Sequence, residues 1–476
     1  MASSSSLSSS SSFHDPFDPI SKLYNNIINS NDNNTTINNI INIVIIFAIT
    51  WSIIEILFFL TLRFLVYPKL QALRKTQPYD RDPLELTMII LNLIDFVNDS
   101  YSFQKFASGF FCGAKFDDIY KGNYRSFLAW AMYNSKHELL KSDEKENVEI
   151  IINEAIRRHN LNNVKEGYNH KVRHVSMTLD PVPYIHRPLS MYVFTGILEI
   201  IANLLFLRLK GFHCYEIKGT KYWYRRGPIT SSRAPILMLH GICSGWLFYS
   251  QLITCLSSER PIILVEIDAI KIKSMQFDMP TPKNFSSAVM DILKRHNFSQ
   301  VSIVGHSFGS ITAGWFVKAY PEAVSHVTLL DPVSLLLCFP DVAYNFIYRP
   351  PQTFMQYLIY FFASRELTIS HTLHRLFFWY NNIILLEEIP SNIGVLIGVG
   401  GADEILNATS IYEYSEKCAI KRKEAAKGNK LIDSEAAEII THFWPTYSHA
   451  EILVRTDAQS SLLAAMNQNE KAFRKV

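Results

Sequence analysis

An apolar strand that runs straight into a Gly-x-Ser-x-Gly turn constrains this chain more than any other feature. Val301-Ser302-Ile303-Val304 leads into Gly305-His306-Ser307-Phe308-Gly309, and Ile311 to Tyr320 follows as a buried helix that Pro321 ends. A strand that turns at once into a helix crowds its own backbone, and the two glycines relieve that crowding. The bend pushes the Ser307 hydroxyl out of the sheet and aims the Phe308 N–H at a point where negative charge can develop. Such a corner belongs at the carboxyl end of a strand inside an α/β sheet.

The flanking sequence supplies that sheet. Tyr215–Lys218 and Tyr222–Arg225, separated by Gly219-Thr220-Lys221, predict a leading antiparallel hairpin. Ile236–Leu239 is a continuous apolar run, as expected of a strand buried on both faces, and Ile262–Ile267, Val301–Val304, Val327–Leu330 and Val395–Val399 follow as further strands with helical stretches such as Ser286–His296 between them. This alternation predicts right-handed crossovers and a mainly parallel sheet with helices on both faces and the site at the strands' carboxyl ends. The expected fold class is therefore α/β.

Three motifs in order, His240-Gly241-Ile242 after a strand, Gly305-His306-Ser307-Phe308-Gly309, and an acid followed by a histidine, resemble the α/β-hydrolase superfamily over residues 214–476. The resemblance is to its lipase and esterase branch, because dehalogenases and epoxide hydrolases of that fold carry Asp where Ser307 stands. It implies a serine nucleophile at Ser307, with the Ile242 and Phe308 N–H groups as an oxyanion hole. It also implies the chain order Ser, acid, His. Asp403, in the glycine-rich turn Gly400-Gly401-Ala402-Asp403 just past a strand, is the favoured acid, and Asp331 of Leu330-Asp331-Pro332 is the alternative. His449, in a loop after the short strand Thr441–Trp444, is the expected base, whereas His442 falls within that strand. His240 is expected to tie its loop down. His326 to Asp331 spells a His-x-x-x-x-Asp string seen in acyltransferases, but its ends lie about 16 Å apart at strand rise and read as strand residues. Neither a cofactor nor a metal is required.

Residues 333–390 interrupt the strand pattern where this superfamily inserts its cap, and thirteen of these 58 residues are aromatic. A cap so apolar can cover an acyl chain, dip into a bilayer, or simply pack on the core.

Ahead of the sheet lie a Ser/Asn-rich tail, residues 1–39, expected to be disordered, and an apolar run, 40–66, long enough to span a bilayer. Glu55 near its middle costs on the order of 3 kcal/mol, against roughly 4–8 kcal/mol returned by fourteen Leu, Ile, Val and Phe residues in 43–62. Insertion wins by a small margin. Lys22 is the one basic residue before the run, while Lys69, Arg74, Lys75 and Arg81 follow it, so the large carboxyl-terminal part is expected in the cytosol. Six cysteines without metal or CxxC spacing agree with a reducing compartment, and the sequons at Asn284 and Asn297 would there go unmodified.

Residues 67–213 are expected to form a helical extension, with helices such as Leu84–Val97 and Glu149–His159 but no motif that carries chemistry. A second apolar stretch, Leu189–Leu209, contains Glu199, Asn203 and Arg208 and fits a core-packed or membrane-surface helix better than a second span. A net charge of +3 and no basic block interleaved with aromatics argue against nucleic acid as a partner. The expectation is a membrane-anchored serine hydrolase acting on carboxylic esters, in all expectation those of lipids. An acyltransferase with the same triad, or a non-catalytic membrane scaffold, are the alternatives.

Overall fold

Eight strands form one sheet in this computed structural model: β1 His213–Ile217, β2 Thr220–Arg225, β3 Ile236–Leu239, β4 Ile262–Val265, β5 Val301–His306, β6 Val324–Leu330, β7 Gly394–Gly400 and β8 Ile439–Trp444. Their spatial order is β1-β2-β4-β3-β5-β6-β7-β8. β2 runs antiparallel to β1 and to β4, and all the remaining neighbours pair in parallel. Every residue of β3 to β7 is buried, which is why these strands read as largely apolar runs rather than as alternation. β6 starts three residues before its apolar run, at Val324. The polar Ser325 and His326 sit buried on it and hide its beginning from a reading by hydropathy.

The structure describes residues 18–74, 81–161, 163–228, 233–242, 245–257, 260–272, 275–428 and 437–473. Residues 1–17 of the tail, Lys75 and the Cys243-Ser244 pair lie outside them. Cys112, Cys214, Cys338 and Cys418 form no disulfide.

Two compact units divide the chain, residues 1–67 and 68–476. In the first, one helix runs from Asp18 to Leu60, so the tail expected to lack structure over 1–39 is helical from Asp18 onward. Extending a helix that is already nucleated costs far less than starting one, and the apolar run gives the Asn-rich segment a template. From Ile37 to Leu70 the helix is long and apolar enough to cross a membrane. Within it the Trp51 indole N–H donates to Glu55 Oε1 at 3.1 Å, giving that carboxylate a partner one turn away.

The segments 68–213 and 214–476 share the second unit and one hydrophobic core. Four helices, Pro83–Phe96, Phe103–Phe110, Lys121–Tyr133 and Ser142–His159, bury apolar faces in it. Asp82 and Ser102 cap the first two by accepting from Glu85 N and Lys105 N. Distant partners tie the four to the rest. Ser100 Oγ donates to Ser410 Oγ at 2.9 Å, and Trp379 Nε1 donates to Ala131 O at 3.0 Å.

The second apolar stretch is a helical run, Leu189–Arg208, packed on this unit. Tyr192, Thr195, Glu199, Ala202 and Leu207 face inward. Glu199, 3% exposed, reaches the buried Lys271 at 3.1 Å, and Lys271 also meets Glu266 at 2.6 Å and Asp268 at 3.0 Å. Three carboxylates around one ammonium compensate its burial, and they give the helix a polar anchor that a lipid-embedded span would lack. Its outer face is apolar, with Phe194 61% and Leu205 63% exposed.

Candidate active site

β5 ends at His306, and the helix Phe308–Ala319 begins two residues later, so Ser307 alone makes the corner. It does so at φ 52° and ψ −118°, a conformation that a residue bearing a Cβ rarely adopts. The glycines are needed where chain meets chain. A Cβ on Gly309 would lie 2.1 Å from Leu239 O of β3, and one on Gly241 would lie 2.9 Å from Ser307 Cβ. The His-Gly loop thus presses directly against the serine. Gly309→Ala is expected to cost about 3 kcal/mol of stability, since the clash is with backbone and β3 must shift. A thermal midpoint equal to that of the unchanged protein would contradict this close packing.

Ser307 Oγ lies 2.9 Å from His449 Nε2, across 142 residues of sequence. His449 Nδ1 lies 2.6 Å from Asp403 Oδ2. The other carboxylate oxygen, Asp403 Oδ1, accepts from Ile405 N at 2.7 Å and Leu406 N at 3.0 Å, which fixes the acid's orientation. Burial works against a charged His449, but the Asp403 carboxylate overrides it and, with Asp331 also near, holds the imidazole pKa up at about 9.

Asp331 takes a different place. Its Oδ1 accepts from Gly400 N at 3.1 Å and its Oδ2 from Ala450 N at 2.9 Å, so it joins the loop carrying His449 to the end of β7. Behind the serine, the Tyr249 hydroxyl accepts from Gly241 N at 2.7 Å. The same hydroxyl lies 2.9 Å from His306 Nδ1, and His306 Nε2 faces Asp331 Oδ2 at 3.7 Å. Burial keeps His306 from charging. Tyr249, His306 and Asp331 were not among the residues that the sequence joins to one another. Only the pattern Gly-His-Ser places His306 next to the serine, and nothing local points to Tyr249.

His240 has the structural part expected of it. Its Nδ1 donates to Gly241 O at 2.8 Å and its Nε2 accepts from Ile267 N at 3.0 Å. The second bond requires the neutral ring, in keeping with a pKa lowered by burial to about 4. Ile242 follows Gly241 in the loop against Ser307, and Phe308 opens the helix after it, where the first N–H groups have no intrahelical acceptor. His442 lies on β8, away from these contacts.

Ser307, His449, Ile242 and Phe308 share the wall of an apolar cavity of about 250 Å³. Phe346, Leu373 and Phe377 from the 333–390 insertion line another part of it. A hydroxyl, an imidazole and a carboxylate in hydrogen-bonded sequence, opening on an apolar chamber, can pass a proton away from the hydroxyl and make it a nucleophile. Asp331, Asp403 and His449 also bring ligand-type atoms within 4.8 Å of one another, but the Asp331 oxygens and Asp403 Oδ1 already accept backbone N–H bonds.

Residues 234–417 match the alpha/beta hydrolase fold family. Among curated proteins, the chain is 23% identical over 131 residues to the abhydrolase domain-containing protein abhd-5.2 of Caenorhabditis elegans, covering 27% of this chain and 30% of that protein. It is 27% identical over 106 residues to a human serine hydrolase-like protein, covering 22% of this chain and 52% of that one. The chain thus spans about a third to a half of the length of these relatives. Of solved structures, naproxen esterase (carboxylesterase NP) from Bacillus subtilis aligns at 13% identity over 57% of this chain and 98% of its own, with a TM-score of 0.37. The sheet order and the match over residues 234–417 together give this chain the α/β-hydrolase fold.

Proposed function

We propose that the protein is a membrane-anchored serine hydrolase that cleaves carboxylic esters of lipids through an acyl-enzyme. The observation that carries this reading is the pair of contacts Ser307 Oγ to His449 Nε2 (2.9 Å) and His449 Nδ1 to Asp403 Oδ2 (2.6 Å). Ser307 attacks the ester carbonyl while His449 takes its proton. The carbonyl oxygen, now negative, is held by the Ile242 and Phe308 N–H groups. Collapse of this tetrahedral intermediate expels the alcohol, which receives the proton back from His449. Water then repeats the sequence on the acyl-serine, and Asp403 keeps the imidazole in the tautomer both halves need.

Lipid as the substrate class and the bilayer as the working place are supported by three features. The cavity wall is apolar, the helix Ile37–Leu70 is long enough to cross a membrane, and the packed helix Leu189–Arg208 shows an apolar face outward. The basic residues after the first of these helices favour a cytosolic catalytic part.

A fluorophosphonate probe tests the nucleophile. Label on the unchanged protein and none on Ser307→Ala is the expected result, and a folded protein that takes no label at all would refute the hydrolase.

The elevated His449 pKa sets the pH dependence. His449 must be neutral to accept a proton, so kcat/KM should climb with pH and level off near 9. Stability should move the other way. The folded pKa exceeds the unfolded value of 6.5, so the stabilising contribution is complete below 6.5 and is lost as pH rises through about 9. A rate that is flat across this window would place the proton acceptor elsewhere.

A further inference from the structure

The cavity beside Ser307 is walled on one side by residues that the α/β-hydrolase match does not include. Helices Pro83–Phe96, Phe103–Phe110, Lys121–Tyr133 and Ser142–His159 all contribute to the lining, through residues such as Ile90, Phe106, Phe127 and Ile152. All four helices precede residue 234, where the family match begins. We infer that this amino-terminal layer is an acyl-chain sleeve, and that the substrate delivers one long unbranched aliphatic chain into it from the ester held at Ser307. The inference rests on the hydrolase reading and deepens it by naming the chain class.

Three observations carry it. First, the layer and the nucleophile line one continuous space, since Ser307 and His449 occur in the same wall as Phe106 and Ile152. Second, the lining is apolar almost throughout, and its polar side chains are mostly spoken for. The Thr87 hydroxyl donates to Pro83 O, the Trp130 indole to Thr178 and the Trp379 indole to Ala131 O. An engineered apolar cavity of about 150 Å³ stays dry and takes up benzene, so a larger one of the same character suits hydrocarbon and repels a headgroup. Third, the layer is built as a wall rather than as a loose appendage. Arg158 bridges Asp95 at 3.2 Å across two of its helices, and Lys417 reaches Asp99 at 2.8 Å from the core.

One lining group departs from this pattern. The Tyr124 hydroxyl is buried and makes no hydrogen bond among the described residues. A saturated chain has nothing to offer it, whereas a chain carrying an oxygen would.

The test uses the full chain in lipid nanodiscs and compares two phosphonylating probes, an ethyl fluorophosphonate and a hexadecyl one, by their rate of reaction with Ser307. The unchanged protein should react with the hexadecyl probe at least about tenfold faster, because each buried methylene adds to binding. Ala155→Phe and, separately, Ala107→Leu fill the sleeve from two different helices. Each should remove most of that advantage and leave the ethyl rate within about twofold, a rate that also certifies a folded site. Equal loss of both rates in both variants, or an unchanged preference in both, would overturn the sleeve and leave the hydrolase standing. Failure of both probes to label the unchanged protein would overturn the hydrolase itself, whereas labelling by the ethyl probe alone would overturn only the sleeve. Tyr124→Phe should leave the hexadecyl preference unaltered or raise it. A loss of about tenfold or more would mean that the alkyl chain depends on this hydroxyl, and would overturn the wholly apolar sleeve.

Discussion

Ser307→Ala and His449→Ala should each lower ester turnover by about 10⁴-fold or more, and the double variant should be scarcely worse than either alone. The reason lies in the contacts. The serine hydroxyl is 2.9 Å from a single acceptor nitrogen, and no other titratable side chain among the described residues is hydrogen-bonded to it. Remove the hydroxyl and no acyl-enzyme forms; remove the imidazole and the hydroxyl keeps its proton. What survives is the binding cavity and the two backbone donors, which still favour the tetrahedral geometry. Steady-state rates on a soluble acyl ester, with circular dichroism to verify folding, make the measurement. Near-normal turnover from either single variant would break the assignment. Additive losses in the double variant would mean that the two groups do not act as a unit.

The second large effect separates two acids that the sequence leaves open. Asp403→Asn should cost about 10⁴-fold in kcat, because an amide facing His449 Nδ1 favours the wrong tautomer. It should also bring the imidazole pKa down, by removing the main charge that holds it near 9. Asp331→Asn should cost only about tenfold in rate, and lower stability by about 1.5–3 kcal/mol through the weakened acceptor at Ala450 N. Asp331 already sits at φ 41°, which Asn tolerates, so the exchange tests the side chain and not the backbone. Reversed magnitudes would hand the acid's part to Asp331.

Much of this arrangement was legible because its signals are local. Gly305-His306-Ser307-Phe308-Gly309 after an apolar run announces the corner, and β3 and the start of β4 fall where unbroken apolar residues place them. Asp403 and Asp331 were harder to part, since both follow a strand and spacing says nothing of which way a carboxylate turns. One spends its oxygens on the backbone of Gly400 and Ala450; the other gives one to His449. The four early helices resisted for a different reason. Leu86, Ile90 and Ile94 recur at helical spacing and declare that one face is buried, but periodicity cannot say against what. Their partners lie hundreds of residues downstream. The Tyr249–His306 link is likewise a product of topology, joining the loop after β3 to the end of β5.

The hydrogen bond between Ser100 and Ser410 spans 310 residues, and the ion pair of Asp99 with Lys417 spans 318. At a synthesis rate of roughly 5–20 residues per second, the first helices to leave the ribosome wait about 15 to 60 s for the surfaces that will cover them. Throughout that interval their greasy flanks stand open to water and to neighbouring nascent chains. Maturation of this polypeptide should therefore lean on chaperones far more than the compactness of the finished molecule would suggest.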